Sequence, residues 1–244
     1  MSATSGIDQY FTGLSEHLGR VLTHQREAMS RVAAVAAEAL RAGHLIYVFG
    51  SGHSRHIAGE LYFRAGGLAP VVAIEDPTEG MAERVEGYAQ NFMAHYDIHP
   101  GDLLIVISNS GINPVPLEVA QLGKQAGAIT VAVTSLVYSQ AATSRHSSGQ
   151  KLYQVVDYVL DTMVPRGDAI CELPGLSWRV APISTAVSVA MLNAVVAQTA
   201  VNIIEAGELP PVLISANVPE GDAHNQKMVA TYWPRLTSFP LRKV

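Results

Sequence analysis

The sequence has little cysteine and little charge, and these shortages exclude several classes of protein. Cys171 is the single cysteine among the 244 residues, so an intramolecular disulfide is impossible. Charged residues make up only 15% of the chain and the net charge is -5, which gives no support for nucleic-acid binding because such binding needs a basic patch. The opening residues, MSATSGIDQYF, lack the basic and apolar regions of a secretory signal. We therefore expect a cytoplasmic protein with no nucleic-acid partner.

Apolar residues are abundant, at 48% of the chain, and one apolar segment resembles a membrane span. Segment 183–207 reads ISTAVSVAMLNAVVAQTAVNIIEAG, and serine, threonine, asparagine and glutamine interrupt it. A membrane-spanning helix needs a run of about 20 residues with few polar interruptions, whereas a helix that is apolar nearly all round also packs inside proteins. We interpret this segment as a helix of the core or of a subunit interface, and expect no membrane partner.

Short runs of valine, isoleucine and leucine alternate with helical patterns along the chain. Apolar residues of segment 7–41 recur at steps of three and four, which predicts a long N-terminal helix. Further helices are predicted at 55–65, 79–95, 115–126 and 183–206, and strands at 44–49, 70–74, 103–107, 129–134 and 155–160. Such strands, separated by helices, are typical of a parallel sheet covered on both faces, and so of an α/β fold. We expect one domain, 1–244, divided into the N-terminal helix (1–42), the core (43–207) and a polar tail (208–244).

Three of the predicted strands end in polar loops: GSGHS after the first, SNSG after the third and TSL after the fourth. Ligands of such sheets bind beyond the carboxyl ends of the strands, so these loops should share one rim. Gly50 and Gly52 allow the backbone to approach a ligand, and a following helix presents free N–H groups to an anion. Serine hydroxyls add further donors, at Ser51, Ser54, Ser108 and Ser110. The loops therefore indicate an anion site without Lys or Arg; the alternative is that both are ordinary helix caps.

GSGHS after a strand, together with LIVISNSGINP at 104–114, resembles the two sugar-phosphate loops of the SIS (sugar isomerase) domain. The resemblance extends from about residue 43 to residue 225, and is close to a branch of stand-alone SIS proteins described as phosphosugar isomerases. It implies a flavodoxin-like three-layer sandwich with a five-stranded parallel sheet. It also implies a homodimer or homotetramer with shared sites, a sugar phosphate as ligand, and no cofactor.

In SIS proteins the S-x-S-G loop holds the phosphate group of the sugar. The resemblance therefore gives a phosphate-binding role to Ser108, Asn109, Ser110 and Gly111. Asn113 matches a position that usually carries Thr or Ser, and Ser54 matches the serine of the first loop that touches the phosphate or the sugar.

An isomerase of this kind needs a base beside the carbon next to the carbonyl, where it moves a proton through an enediol. The stretch HIAGEL at 56–61 is similar to the His-x-x-x-Glu-Leu segment of phosphoheptose isomerases, which makes Glu60 the best candidate. The alternative for Glu60 is a surface ion pair with Arg64 at i+4. Phosphoheptose isomerases also use a histidine on the C-terminal helix, and this chain has none between residues 182 and 207. His224 in the tail or His53 in the first loop is the candidate replacement.

Metal binding has a weaker signal. His56 and Glu60 are four residues apart, which is the spacing of two ligands on one helix face, but a third ligand on a helix is missing. We therefore expect no metal.

Two function classes follow from the resemblance. The first is an aldose–ketose isomerase acting on a sugar phosphate, with an etherase-type lyase on an amino-sugar phosphate as a variant within the enzyme class. The second is a non-catalytic sugar-phosphate sensor, which usually comes fused to a DNA-binding module. No helix-turn-helix pattern precedes the predicted sheet, which favours the enzyme.

Overall fold

The computed structural model describes residues 5–236, which are organised around a five-stranded parallel sheet. Its strands are β1 (Ile46–Gly50), β2 (Val71–Ile74), β3 (Leu103–Ile107), β4 (Ile129–Thr134) and β5 (Tyr158–Asp161). Their order is β2-β1-β3-β4-β5, and each neighbouring pair is parallel. A separate antiparallel pair consists of β6 (Ala169–Cys171) and β7 (Val180–Pro182). The predicted α/β fold with five parallel strands is confirmed.

The helices precede, connect and follow these strands. They are α1 (Gly6–Arg41), α2 (Arg55–Leu61), α3 (Ala89–Met93), α4 (Pro114–Gln125), α5 (Leu136–Ala141), α6 (Leu152–Val155), α7 (Ser184–Glu205) and α8 (Gly221–Leu236). A 3₁₀ turn, Gly52–Ser54, leads into α2. The long N-terminal helix is confirmed, and Gly43, with a φ of +80°, ends it as a left-handed residue after the C-cap.

The two faces of the sheet carry two separate apolar cores, which gives three layers. Ile46 and Val48 of β1 face the layer formed by α1, α2 and α7, whereas Tyr47 and Phe49 face the layer formed by α3 and α4. This alternation follows from the two-residue period of a strand. Every residue of β1 and β3 is buried, and strands buried on both faces appear in a sequence as continuous apolar runs.

The apolar segment near the C-terminus forms α7, which by length and composition is long and apolar enough to cross a membrane. In the fold it packs against α1 and α2 and buries Val187, Met191 and Leu192 in the first core. The prediction of a core helix is confirmed for this face. The outer face of its last turns keeps Val201 and Ile204 exposed.

The predicted helix 79–95 is wrong for most of its length, since only Ala89–Met93 is helical. Residues 77–88 are mostly turns, and Asp76 shapes them by accepting hydrogen bonds from the amides of Thr78 and Gly80 at 2.8 and 2.9 Å. Gly80 has a φ of +94°, and a Cβ there would stand 2.4 Å from the backbone of Gly52. A helix cannot supply this close approach to the first loop, so the segment runs as a loop instead.

Smaller differences concern element ends and the tail. Helix α2 stops at Leu61 rather than near residue 65, and β5 starts at Tyr158 because residues 152–155 form α6. The segment expected as a polar tail contains α8, which Arg235 ties to the buried Asp102 through two hydrogen bonds of 2.7 Å. The ends of the predicted N-terminal and tail segments, residues 1–4 and 237–244, lie outside the described residues.

Candidate functional site

A cavity of about 400 Å³ lies beyond the carboxyl ends of β1 and β3. The strand order reverses between these two strands, and α/β sheets bind ligands at such a switch point. The volume falls within the roughly 300–1,000 Å³ of small-molecule sites. The first loop lines the cavity with Ser51, His53 and Ser54, and the second with Ser108, Asn109, Ser110 and Asn113. The structure thus brings together the two loops that the sequence predicted to share a rim.

The first loop turns so tightly that only glycine fits at its start. A Cβ on Gly50 would stand 2.3 Å from the carbonyl oxygen of Ser54. Ser51 is buried, and among the described residues its hydroxyl has no hydrogen-bond partner of standard geometry. The carboxylate of Glu83 is close enough for this hydroxyl to lower its pKa, so Ser51 already interacts with another side chain of the cavity wall. His53 is exposed, and its ring packs edge-on against that of His56 at 5.0 Å.

Hydrogen bonds on the side away from the cavity hold the second loop in place. The hydroxyl of Ser108 accepts a hydrogen bond from the amide of Gly111 at 3.2 Å, and the side-chain oxygen of Asn109 accepts one from the hydroxyl of Thr162 at 3.3 Å. Gly111 has a φ of +61°, and a Cβ there would stand 2.8 Å from the hydroxyl oxygen of Thr134. Gly111 therefore shapes the loop and is not part of the cavity wall, whereas Ser110 is.

Glu83, which sequence reasoning missed, brings a carboxylate into the cavity. It lies in the loop between β2 and α3, and its Oε1 accepts a hydrogen bond of 2.7 Å from Nδ2 of Asn113. Burial raises the pKa of Glu83, although the nearby Ser51 hydroxyl and the charges of Arg84 and Arg145 partly offset this. The available signal was the Asp76-Pro77 pair and the two glycines that follow, which indicate a loop rather than a helix.

Asp168 is a second carboxylate of the cavity wall that sequence reasoning missed, and its oxygens already accept hydrogen bonds within the protein. It has a φ of +68°, and it accepts hydrogen bonds from the amides of Ile183 and Ser184 at 3.1 and 2.7 Å. The hydroxyl of Ser184 donates to it as well, at 2.6 Å. Asp168 therefore caps the start of α7. The β6–β7 pair leads into this helix, and the first turn of α7 lines the cavity.

The two loops of the cavity wall offer neutral donors to an anion, while the wall also carries the carboxylates of Glu83 and Asp168. Within the described part of the chain, the side chains that line the cavity include no Lys or Arg, and hydroxyls and amides dominate the two loops. Helix α2 has only seven residues and adds little dipole. The raised pKa of Glu83 reduces the negative charge next to an anion at low pH.

Two predicted catalytic residues lie away from the cavity wall. Glu60 is on α2 and forms an ion pair with Arg64, which was the alternative considered for it. His224 is on α8, where its Nε2 lies 2.8 Å from the carbonyl oxygen of Val212. Their assignment as catalytic groups stays a prediction, and of the three candidate bases this chain brings only His53 to the cavity.

The pair of His56 and Glu60, considered above for a metal, finds no third ligand among the residues that the structure describes. No group of three or more His, Cys, Asp or Glu side chains within residues 5–236 is arranged to hold a metal ion. His56 packs against His53, and Glu60 is engaged by Arg64.

A model of the SIS domain family matches residues 9–135, a range that includes both serine loops. The chain belongs to the SIS domain family. Its relatives include a UPF0309 protein from Geobacillus kaustophilus, which is 44% identical over 239 residues covering 94% of this chain and 95% of that protein.

Solved structures share the fold at low identity. A phosphoheptose isomerase from Francisella tularensis superposes with a TM-score of 0.54 at 16% identity, covering 83% of this chain and 98% of that one. The Vibrio vulnificus NanR protein complexed with ManNAc-6P superposes with a TM-score of 0.53 at 16% identity, covering 95% of this chain and 70% of that one.

Proposed function

We propose that this protein binds a sugar phosphate in the cavity and interconverts its aldose and ketose forms through an enediol. One observation carries the proposal: two serine loops from neighbouring parallel strands and a half-buried carboxylate, Glu83, line the same cavity. The loops offer neutral donors to an anion, and the carboxylate offers a group for proton transfer.

The phosphate is proposed to lie between the two loops. Ser54 approaches it from the first loop, and Ser108, Asn109 and Ser110 from the second. Ser51 adds a buried hydroxyl to the same wall, next to the carboxylate of Glu83. Gly111 supports the loop rather than touching the ligand. The names of the two structural neighbours, a phosphoheptose isomerase and a protein complexed with ManNAc-6P, agree with a sugar-phosphate ligand.

The base predicted from the sequence needs a particular arrangement of subunits. Glu60 and His224 are outside the cavity wall of their own chain, so a catalytic role for either fits best if it reaches the cavity of a second copy. His53 needs no second copy. The proposed chemistry uses no cofactor and no metal, because carboxylates and histidines suffice for proton transfer next to a carbonyl.

A panel of aldose and ketose phosphates of five to seven carbons, incubated with the protein in D₂O, tests the proposal. We expect interconversion of one pair, with deuterium from the solvent at the carbon next to the carbonyl. Binding of panel members without any exchange would instead establish a sensor. Cleavage of an ether-substituted amino-sugar phosphate, included in the panel, would establish the lyase.

A further inference from the structure

We propose that Glu83 is the residue that moves the proton, and that Asn113 and Arg145 form a relay that holds its carboxylate in the reactive position. The inference rests on the isomerase function proposed above and names the catalytic group of that site. The catalytic base is thereby assigned to Glu83, a loop residue that lines the cavity, and no longer to Glu60 on α2.

The relay fixes the direction of each hydrogen bond. Nη1 of Arg145 donates to the side-chain oxygen of Asn113 at 2.8 Å, and Nδ2 of Asn113 donates to Oε1 of Glu83 at 2.7 Å. A guanidinium only donates, so Arg145 forces the amide of Asn113 to turn its NH₂ group towards Glu83. Oε1 is thereby held, while Oε2 lies over the first loop, 3.6 Å from where a Cβ on Gly52 would be.

The side chain of Asn113 bonds to Glu83 instead of capping α4. Asn113 is the N-cap residue of α4, and asparagine at this position usually accepts a hydrogen bond from the first turn. Here the side chain makes no capping bond, and the amide of Val115 is satisfied instead by the backbone carbonyl of Glu83 at 3.1 Å. A preferred cap residue turned towards a carboxylate in a cavity indicates that the carboxylate has a function.

The electrostatic surroundings suit a base. Burial raises the pKa of Glu83, which brings a carboxylate closer to the pH at which an enzyme works. The positive charge of Arg145 acts in the opposite sense and lowers this pKa, so the relay also keeps part of the population ionised. Arg84 has the same electrostatic effect, but only Arg145 also bonds to Asn113.

The proton transfer balances without an added reagent. Ionised Glu83 takes the proton from the carbon next to the carbonyl, and the electron pair of that C–H bond forms the C=C bond of the enediol as the carbonyl oxygen gains a proton. Protonated Glu83 then returns its proton to the neighbouring carbon, and the other hydroxyl loses its proton to restore a carbonyl. His53, which also lines the cavity, carries the proton between the two oxygens in this scheme.

The first test compares Glu83→Gln with Glu79→Gln. Glu79 lies in the same loop and pairs with Arg55, outside the cavity wall, so its variant controls for a change in the loop. We expect Glu83→Gln to lower turnover by roughly 10²- to 10⁴-fold with the Kd for the same sugar phosphate changed less than about threefold, and Glu79→Gln to stay near wild type.

The outcomes separate the inference from the proposed function. A wild type that isomerises a sugar phosphate, together with an equally active Glu83→Gln, overturns the inference and leaves the function standing. Glu60→Gln is measured beside them: a loss confined to that variant returns the assignment to Glu60. A wild type that binds sugar phosphates without solvent exchange overturns both.

The second test addresses the relay through the pH profile of kcat/KM. Arg145→Gln removes the charge and the bond to Asn113, and we expect the acid limb of the profile to move to higher pH, with turnover lowered about tenfold or more. Arg145→Lys keeps the charge, so its acid limb should lie close to that of the wild type. Arg84→Gln removes a charge alone. An unshifted profile for Arg145→Gln, or an equal effect of Arg84→Gln on both profile and turnover, overturns the relay.

Discussion

The backbone of Gly80 lies directly against the backbone of Gly52. A Cβ on Gly80 would stand 2.4 Å from both the nitrogen and the Cα of Gly52, and the φ of Gly80 is +94°. This contact joins the loop that carries Glu83 to the first serine loop. The position of the carboxylate in the cavity therefore depends on a glycine that takes no part in the chemistry.

We predict that Gly80→Ala separates these two loops. The substitution adds a clash to an unfavourable backbone conformation, so the free energy of unfolding should fall by roughly 1–3 kcal/mol and turnover should fall with it. Gly87→Ala is the matched control, because Gly87 also has a positive φ, +78°, but its Cβ would meet nothing within 4 Å. Denaturant melts and isomerase assays of both variants provide the measurement. Equal losses of activity in the two variants would contradict the role of the contact.

The phosphate position is tested by Ser110→Ala. Loss of one charge-assisted hydrogen bond should weaken binding by about 1–2 kcal/mol, which raises the Kd about 5- to 30-fold. Isothermal titration with the sugar phosphate of the active pair provides the Kd. Ser177→Ala, in the exposed loop between β6 and β7, is the control and should bind like the wild type. An unchanged Kd for Ser110→Ala would place the phosphate elsewhere.

The pKa of Glu83 predicts how stability depends on pH. Because burial raises this pKa in the folded state, the protonated side chain is favourable below the ordinary carboxyl pKa of about 4.3, and that contribution is lost as pH rises through the folded pKa. Glu83→Gln cannot ionise, so its Tm should exceed that of the wild type at pH 7. The difference should shrink towards zero near pH 4. Calorimetric scans across this range measure it, and a gain independent of pH would show that burial of the charge is not the cause.

Exposed apolar side chains on two helices predict a homo-oligomer. Ile7 and Phe11 of α1 and Ile204 of α7 are 71%, 65% and 58% exposed, and a subunit interface would remove these side chains from water. We expect a dimer or tetramer that buries more than about 1,000 Å² per interface. Sedimentation at micromolar concentration tests this prediction. Phe11→Glu or Ile204→Glu should shift the equilibrium towards monomer. A monomeric wild type would refute the prediction.

Oligomerisation also decides whether the helix glutamate has a second role. If Glu60 reaches the cavity of a neighbouring subunit, a mixture of Glu60→Gln and Glu83→Gln subunits contains some sites with both carboxylates. Activity regained on mixing two inactive variants would show a site shared between subunits. Activity equal to the sum of the separate variants would show that each cavity works with the residues of its own chain.

Local pattern was sufficient for the sheet and for the two serine loops. Strands such as β3 are buried on both faces, and so they appear as continuous apolar runs, LLIVI in this case, bounded by polar residues. Because parallel strands place their carboxyl ends on one edge, the loops that follow β1 and β3 were predicted to meet, and seven predicted residues of these loops do line one cavity.

Only the tertiary structure decided which carboxylate enters that cavity. Glu83 lies in a segment that was predicted as a helix, and its path depends on contacts with residues far away in sequence: Gly80 with Gly52, and Glu83 with Asn113 and Val115. Glu60, by contrast, was assigned from the similarity of HIAGEL to a segment of phosphoheptose isomerases, but in this chain it pairs with Arg64 outside the cavity wall. Periodicity records only which face of an element is apolar, whereas the side chain that reaches a cavity depends on how loops pack against one another.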